Sequence, residues 1–363
     1  MQMANFDTEY CYSFPAVRGI QAGRAFYIAT CPMRIIPKIF SFDESEVPPE
    51  LRAQRILNKA RIPEMVRYLL DNPKDYVFSA LTASIAVDVQ FEEHSGSNNL
   101  GTLRVPMEAQ ILINDGQHRR KAIEDALEEK PELGQDNIPV LFFVDEGLKR
   151  SQQMFADLNK YAIRPSPSLS TLYDHRDASS SLARYLAMSI EPFIDLTELE
   201  KSSISILSNK LFTLSSIKQA TKALLGRHPR KEDIEESMLL ASSYWKQIFL
   251  AMPDWQLAAK KEVSPAHLRQ EYVHAHGIGL QALGLLGNTL LKEYPDEWQE
   301  KLLNLKNFNW KKSNPELIKR AMLHGKLSKS NTAIQLTCNA LKSALSLPLT
   351  VEEQEIESQL VTP

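Results

Sequence analysis

Cysteine is scarce in this chain, and the three cysteines present are widely separated. Cys11, Cys31 and Cys338 form no C-x-x-C pair, and an odd number cannot form a complete set of disulfides. Disulfide-stabilised secreted domains and structural zinc modules depend on paired or closely spaced cysteines. The sequence therefore argues against both classes and predicts a protein of a reducing compartment, the cytoplasm.

Long apolar runs and a dominant charge are also missing. No window approaches the roughly 18 apolar residues of a membrane span, and the N-terminal MQMANFDTEY lacks the basic start and apolar core of a signal peptide. The formal net charge is −3, with 24% charged and 43% hydrophobic residues. This composition excludes a disordered chain and an extended basic coat. We predict a soluble protein without membrane contact, in which any nucleic-acid surface is a local patch.

Common nucleotide and metal motifs are absent too. The sequence has no G-x-x-x-x-G-K-[ST], G-x-G-x-x-G or G-x-S-x-G, so it lacks the usual marks of P-loop, dinucleotide and hydrolase sites. His274 and His276 are two residues apart, whereas two helical zinc ligands stand four apart with an acidic neighbour. We predict no metal site there, and we expect Cys31 to be a buried strand residue rather than a reactive thiol.

The length of 363 residues suggests two domains, because a domain commonly contains about 150 residues. Strand-like composition dominates the first part, for example at 17–40 and 76–91, with helices predicted at 63–71 and 148–160. The stretch IRPSPSLS, 163–170, has the proline and serine content of a linker. Helical periodicity prevails after it, for example at 181–190, 234–252, 274–291 and 331–345. We therefore predict an α/β (α+β) domain over 1–170 and a mainly α-helical domain over 171–363.

A strand, helix, strand unit is predicted around residues 111–145. Ile111–Ile113 form a short apolar run that Asp115-Gly116 ends, and apolar residues then recur at helical spacing until Pro131. The following IPVLFFVD, 138–145, is apolar at consecutive positions, which predicts a strand buried on both faces of a parallel or mixed sheet. A connection between parallel strands is expected to be a right-handed crossover.

The junction of that strand and helix, residues 115–119, has an unusual charge. Helix N-termini present unpaired N–H groups and the positive end of the helix dipole, so they attract anions. His118, Arg119 and Arg120 place cations there, which the dipole disfavours unless an anion also binds. One hypothesis is a phosphate site. The alternative is that Asp115 caps the helix, Gly116 supplies an unusual backbone angle and the cations are solvated.

A resemblance to a known family bears on these alternatives. The segment INDGQHRRKAI is similar to the motif of the DGQHR-domain family, in which Asp115, Gly116, Gln117, His118 and Arg119 all match. The downstream IPVLFFVD, the QQMFADLNK segment and the serine and proline stretch resemble the rest of that domain. Length and the helical second half resemble the DGQHR proteins of gene clusters for DNA phosphorothioate (sulfur) modification.

The resemblance implies a ParB/sulfiredoxin-like fold for the first domain and a DNA-binding repressor of the modification cluster. It implies binding to the promoter of the protein's own cluster, and other phosphorothioation proteins are further candidate partners. No cofactor is required, although a nucleotide with Mg²⁺ could bind at the junction. The residues to which phosphate or nucleotide binding is carried over are Gly116, Gln117, His118 and Arg119, with Arg120 added on charge alone.

Two other functions are left open. The protein could be a nucleoside triphosphatase or DNA-processing enzyme in which Asp115, His118 and Arg119 carry out the chemistry. It could instead be a non-catalytic adaptor for the modification proteins. A repressor that recognises a symmetric operator is expected to be a homodimer.

Two basic clusters in the second domain are candidate DNA contacts, because neutralising phosphates dominates non-specific affinity. The alternative is that both are solvated helix faces and loops. We expect the helical domain to supply self-association as well as DNA contacts. The first cluster contains Lys218, Lys222, Arg227, Arg230 and Lys231, and the second contains Lys311, Lys312, Lys319, Arg320 and Lys326.

Overall fold

The computed structural model describes residues 10–40, 59–144, 153–154, 157–158, 165–328 and 330–360. The chain divides into two compact units, Met1–Ile163 and Arg164–Pro363. The first unit contains a seven-stranded sheet, and the second is mainly helical, which confirms the predicted fold class. None of the helices described in the chain is long and apolar enough to cross a membrane.

The first unit alternates long strands with a few helices. The helix predicted at 63–71 is confirmed, whereas the one predicted at 148–160 falls largely outside the described residues. The elements are β1 (Cys11–Gln21), β2 (Arg24–Pro32), α1 (Ile36–Ile39), α2 (Ile62–Asp71), β3 (Leu81–Ile85), β4 (Gln90–Glu93), β5 (Leu100–Pro106), β6 (Ile111–Asp115), α3 (Gln117–Glu129) and β7 (Asn137–Val144).

The sheet has the order β4-β5-β1-β2-β7-β3-β6. All neighbouring strands run antiparallel except β3 and β7, which are parallel, with Leu81 opposite Val140. Helices α2 and α3 pack against each other, and the apolar side chains of the sheet and helices form one core. Phe14, Leu69 and Phe142 are among its fully buried members.

The prediction that α3 connects two parallel strands by a crossover is wrong. Strand β3 lies between β6 and β7, and it is antiparallel to β6 but parallel to β7. Strands β6 and β7 are therefore antiparallel and not adjacent. The apolar pattern identified both strands, but it could not show that an earlier strand inserts between them.

The prediction that β7 is buried on both faces is also wrong. In β7, Ile138, Val140 and Phe142 are buried while the alternate residues are partly exposed. The strand that is buried at every position is its neighbour β3. The sequence of β3, LTASI, contains small and hydroxyl side chains as well as apolar ones. Its composition therefore does not indicate that the strand is completely buried.

Helices dominate the second unit, and the apolar periodicity at 181–190, 234–252, 274–291 and 331–345 predicted four of them. The elements are α4 (Pro167–Tyr173), α5 (Ala178–Ser189), β8 (Thr197–Glu198), β9 (Phe212–Thr213), α6 (Leu214–Leu225), α7 (Ile234–Ala251), α8 (Pro253–Ala259), α9 (Pro265–Glu271), α10 (Gly277–Glu293), α11 (Trp298–Leu303), β10 (Met322–Leu323), β11 (Lys326–Leu327), α12 (Asn331–Ala344) and α13 (Val351–Ser358).

Helix α10 lies at the centre of the second unit and packs against α6 and α12. The core of this unit is rich in aromatic rings: Phe193 meets Phe212 and Trp245 edge-to-face, and Trp255 meets Phe212 in the same way. Such geometry places the positive edge of one ring against the negative face of the next.

Candidate functional site

The junction between β6 and α3 begins with a glycine that no other residue could replace without strain. Gly116 has φ +108°, a value that L side chains rarely adopt. A Cβ at this position would collide with Cδ2 of Leu81. Both the backbone angle and the close approach of β3 therefore require glycine, as the sequence interpretation of Gly116 supposed.

Asp115 does not cap helix α3. The N-cap is Gly116, which has no side chain to accept an N–H bond. The Asp115 carboxylate instead accepts a hydrogen bond from Nη2 of Arg119 at 2.7 Å, across one helical turn. The capping alternative is therefore wrong, and the first aspartate and last arginine of the motif form an ion pair.

Arg119 also ties the junction to the segment that leads into β3. Its Nη1 donates to Oγ of Ser79 and its Nη2 to the carbonyl of Ala80, the latter at 3.3 Å. The side chain is only 17% exposed, and its Nε has no partner among the described atoms. Arg119 is therefore held by the protein itself, in contrast to the solvated cation of the alternative hypothesis.

Gln117 and Arg120 are also engaged inside the first unit. The buried amide of Gln117 donates to the carbonyl of Ile113, and the Arg120 guanidinium donates to the carbonyls of Phe40 and Pro37 at 3.1 and 3.0 Å. A third bond joins Arg120 to Glu124 at 2.8 Å. The side chain of Arg120 therefore joins α3 to the end of α1 instead of pointing towards the junction.

The surroundings of His118 shift the pKa of its imidazole. Burial lowers its pKa below the ordinary value, and the nearby cations Arg61 and Arg119 add to that effect, while Asp115 opposes it. The imidazole is therefore neutral at pH 7. Arg61 is an exposed cation just before α2 that the motif did not reveal, since it lies 57 residues before His118 in the sequence.

The backbone at the start of α3 has the general features that attract anions. The first N–H groups of α3 have no capping side chain, and they lie at the positive end of a 13-residue helix. Asp115, His118 and Arg119 do lie together, as the enzyme hypothesis needs. The part of the chain that the structure describes contains no group of three His, Cys, Asp or Glu residues that could hold a metal ion.

Comparison with protein families places this geometry in context. The family model DndB, described as DNA-sulfur modification-associated, matches residues 14–348. The chain belongs to the DndB family. Its members are therefore associated with DNA phosphorothioate systems, as the sequence resemblance implied. Comparisons with curated proteins and with solved structures gave no match.

The first basic cluster of this DndB-family chain is largely paired with carboxylates. Lys218 contacts Asp177 at 2.6 Å, and Arg227 and Arg230 share Asp233. Lys222 is exposed, and the side chain of Lys231 lies outside the described residues. Most of the positive charge that the sequence showed here is therefore balanced locally.

The second basic cluster divides into two sets. Lys312 donates to the carbonyls of Arg269 and Gln270, and Arg320 makes a two-pronged contact with Glu357. Lys311, Lys319 and Lys326 are exposed, and no ion pair links them to any described carboxylate. The cluster thus presents three lysines to solvent and uses two cations to hold the fold.

A β-hairpin within this second cluster was missed by the sequence analysis. Strands β10 and β11 are antiparallel and are joined by His324 and Gly325, with φ +50° and +73°. Two central residues with positive φ form the tight turn that matches strand twist. The sequence signal for this turn was the dipeptide His-Gly between Met-Leu and Lys-Leu. It predicts a hairpin less strongly than the Asn-Gly dipeptide does. Lys326 lies directly after this turn.

Proposed function

We propose that this protein is a DNA-binding transcriptional regulator that represses a DNA phosphorothioate modification gene cluster from the cytoplasm. Membership of the DndB family supports the setting. The observation that supports the DNA contact is the exposed set Lys311, Lys319 and Lys326, which forms no close ion pair with a described carboxylate, although Lys311 acts on Asp254 from a longer distance. We call this set the hairpin lysines.

The hairpin lysines have the properties of a phosphate-binding surface. Each lysine that neutralises a DNA phosphate releases condensed counterions, and this gain dominates affinity at low salt. The hairpin, which contains Lys326 and follows Lys319 in the chain, is exposed at Leu323, His324, Gly325 and Lys326. A two-stranded ribbon of this kind has the width to enter a DNA groove. The lysines would fix the position of the ribbon on the backbone.

The junction is proposed as a separate phosphate or nucleotide site. The peptide N–H groups of 117–119 and the neutral His118 supply donors, and exposed Arg61 supplies charge. Arg119 acts as a positioning residue because it holds Asp115 and the loop before β3. Gln117 and Arg120 have no role in contacting the ligand in this proposal, since their polar groups are bonded within the unit.

The partners proposed are double-stranded promoter DNA, a second copy of the chain and other phosphorothioation proteins. A gel shift on DNA upstream of the cluster tests the first. The purified protein should bind this DNA more tightly than a scrambled duplex, and its affinity should fall steeply with salt. Equal affinity for both duplexes at every salt concentration would contradict a repressor and favour an adaptor.

Substitution locates the contact. Changing Lys311, Lys319 and Lys326 together to Gln should weaken binding and lower the slope of log K against log salt by about 0.9 for each lost phosphate contact. The matched control changes Lys246, Lys260 and Lys261 together to Gln, three exposed lysines outside the cluster. If the control and the hairpin-lysine variant lose the same affinity, the hairpin lysines are not the DNA contact.

Nucleotide at the junction is tested separately. ATP or GTP binding should weaken in His118→Ala and Arg61→Gln, whereas Lys246→Gln should leave it unchanged. Phosphate release that disappears in His118→Ala would instead support the enzyme hypothesis. Retention of full nucleotide affinity in both junction variants would remove the proposed site.

A further inference from the structure

The second unit contains a cavity of about 760 Å³. It lies where helices α6, α10 and α12 begin, and the segment 202–206 forms another wall. Small-molecule sites commonly have volumes of about 300–1,000 Å³. The cavity is therefore large enough for a metabolite-sized ligand, and its lining belongs wholly to the second unit.

The described lining of the cavity has a distinctive composition. It contains six hydroxyl side chains and four carboxamides, and it includes no aspartate or glutamate. Apolar side chains, among them Phe212, Ile278 and Ile334, occupy the remaining lining. Polar donors beside an apolar wall are typical of sites that orient a small molecule.

A buried cation without a counter-ion among the described residues lines this cavity. Arg269 is only 9% exposed, and no ion pair joins it to a described carboxylate. Its guanidinium donates to the carbonyls of Ser205, Ile206 and Ser208 at 2.8–3.0 Å, and also to that of Lys210. Burying an arginine is costly unless its charge is balanced. Carbonyl dipoles satisfy its hydrogen bonds, but its net charge remains.

Helix α10 adds to the positive potential. It has 17 residues and begins at Gly277 in the cavity lining, with His276 as an N-cap that makes no side-chain cap bond. Nε2 of His276 is 2.7 Å from the carbonyl of Arg269, so this nitrogen carries the proton and donates. Burial lowers the pKa of His276 to about 4. The ring is neutral at pH 7, and no side chain caps the start of the helix.

We propose that this cavity binds a small anionic molecule with an apolar body. The anionic group lies against Arg269 and the start of α10, and the apolar body lies against Phe212 and Ile278. The proposal goes beyond DNA recognition, and binding is measured without DNA. The hydroxyl and amide side chains supply the remaining hydrogen bonds.

The wall of the cavity continues into the hairpin. Leu327 is both the last residue of β11 and a cavity residue, and Ser328 and Asn331 follow it. Lys312, next to the hairpin lysine Lys311, donates to the carbonyl of Arg269 at 2.6 Å. A ligand in the cavity would therefore contact the segments that carry the proposed DNA contact.

The probes are phenyl phosphate, inorganic phosphate and phenol, each titrated into the full chain and followed by isothermal titration calorimetry. Phenyl phosphate has both the anion and the apolar body. We expect it to bind at least about tenfold more tightly than either half alone, a difference of about 1.4 kcal/mol. Equal or undetectable binding of all three probes would overturn the proposal.

Near-isosteric substitutions in the cavity lining test whether phenyl phosphate binds in the cavity. Gln281→Glu and Asn331→Asp each add a carboxylate to the cavity lining, and each should weaken phenyl phosphate binding at least about tenfold through charge repulsion. Gln299→Glu, on the exposed surface of α11, is the matched control and should have little effect. A circular dichroism melt of each variant separates loss of binding from loss of folding.

Two results would contradict the site. One is phenyl phosphate binding that is equally weakened in Gln299→Glu and in the cavity variants, which would indicate a general charge effect. The other is binding that is lost when the hairpin lysines are changed to Gln but kept in Gln281→Glu, which would place the anion on the basic surface. A failed gel shift leaves these results intact, so the two proposals can fail independently.

Discussion

Two of the three regions in which the sequence concentrates cations, the junction and the second basic cluster, use them in different ways. At the junction in the first unit, Arg119 and Arg120 are bonded to a carboxylate and to backbone carbonyls. In the second basic cluster, the hairpin lysines remain in solvent. At the junction these cations therefore build the fold, whereas in the second basic cluster Lys312 and Arg320 build the fold and the other three cations stay available for a partner.

The side chains themselves explain much of this difference. The guanidinium of arginine has five N–H donors in a rigid plane, so it can satisfy several carbonyls at once. Lysine keeps a compact, strongly hydrated ammonium on a flexible stem. Charge counts alone cannot separate the two uses, and the following predictions test the comparison in order of expected effect.

Arg120→Ala should have the largest effect on stability. It removes a buried cation, leaves the carbonyls of Phe40 and Pro37 without this donor, and leaves Lys121 as the remaining described partner of the Glu124 carboxylate. The free energy of unfolding should fall by about 4 kcal/mol. Urea unfolding measures this loss, and exposed Arg67→Ala is the matched control. A loss below about 1 kcal/mol would show that Arg120 is not structural.

Gly116→Ala should destabilise by about 3 kcal/mol, since backbone strain and a clash with Leu81 add together. Gly96→Ala is a suitable control. Gly96 has φ +92°, but nothing lies within 4 Å of its Cβ position. It should cost about 1 kcal/mol by strain alone. Similar losses in the two variants would show that the close approach of β3 has no energetic role.

Acid should destabilise the second unit through His276. Its folded pKa of about 4 lies below the ordinary value of 6.5, so the unfolded chain takes up a proton first as the pH falls. The neutral His276 ring therefore contributes fully to the free energy of unfolding above pH 6.5. This contribution, up to about 3 kcal/mol, is lost as the pH falls from 6.5 to 4. Buried His274, whose pKa burial also lowers, acts in the same direction.

His276→Gln isolates that contribution, because a Gln amide can still donate to the Arg269 carbonyl. The variant should show a flatter decrease of unfolding free energy between pH 6.5 and 4, measured by urea titration at each pH. An unchanged slope would show that His276 is not the titrating group.

The Asp115–Arg119 pair should have a smaller effect. Asp115 is 46% exposed, so water screens the attraction. A double-mutant cycle with Asp115→Asn and Arg119→Gln should give a coupling energy of about 1 kcal/mol. Additive losses would mean that Arg119 acts only through Ser79 and Ala80.

Changing the three hairpin lysines to Gln should have the smallest effect on stability, within about 0.5 kcal/mol of the natural chain. Their contribution belongs to the bound state. A loss comparable to that of Arg120→Ala would erase the contrast between the two regions.

Part of the fold and site was predictable from local pattern. The strand before Gly116, the helix after it and four helices of the second unit were found because apolar spacing reports local structure. The position of β3 between β6 and β7 depends on strand pairing, which spacing does not encode. The partner of Arg320, Glu357, lies 37 residues away, and no local pattern could identify it.

A signal for the burial of Arg120 was nevertheless present. Arg120, Ile123 and Leu127 share one helical face, since residues three or four apart are neighbours on a helix. A cation on an apolar face indicates a buried contact as readily as a ligand site. The anomalous charge at the junction therefore had two explanations, and the structure assigns Arg120 to the buried contact.

The tight turn at His324 and Gly325 has a thermodynamic consequence. Because the ribbon is already ordered, docking it into a groove loses little conformational entropy. A disordered basic tail of equal charge must be ordered on binding, and this adds unfavourable entropy and a large heat-capacity change. Calorimetry of the promoter complex should therefore show the signature of rigid docking, with a small heat-capacity change.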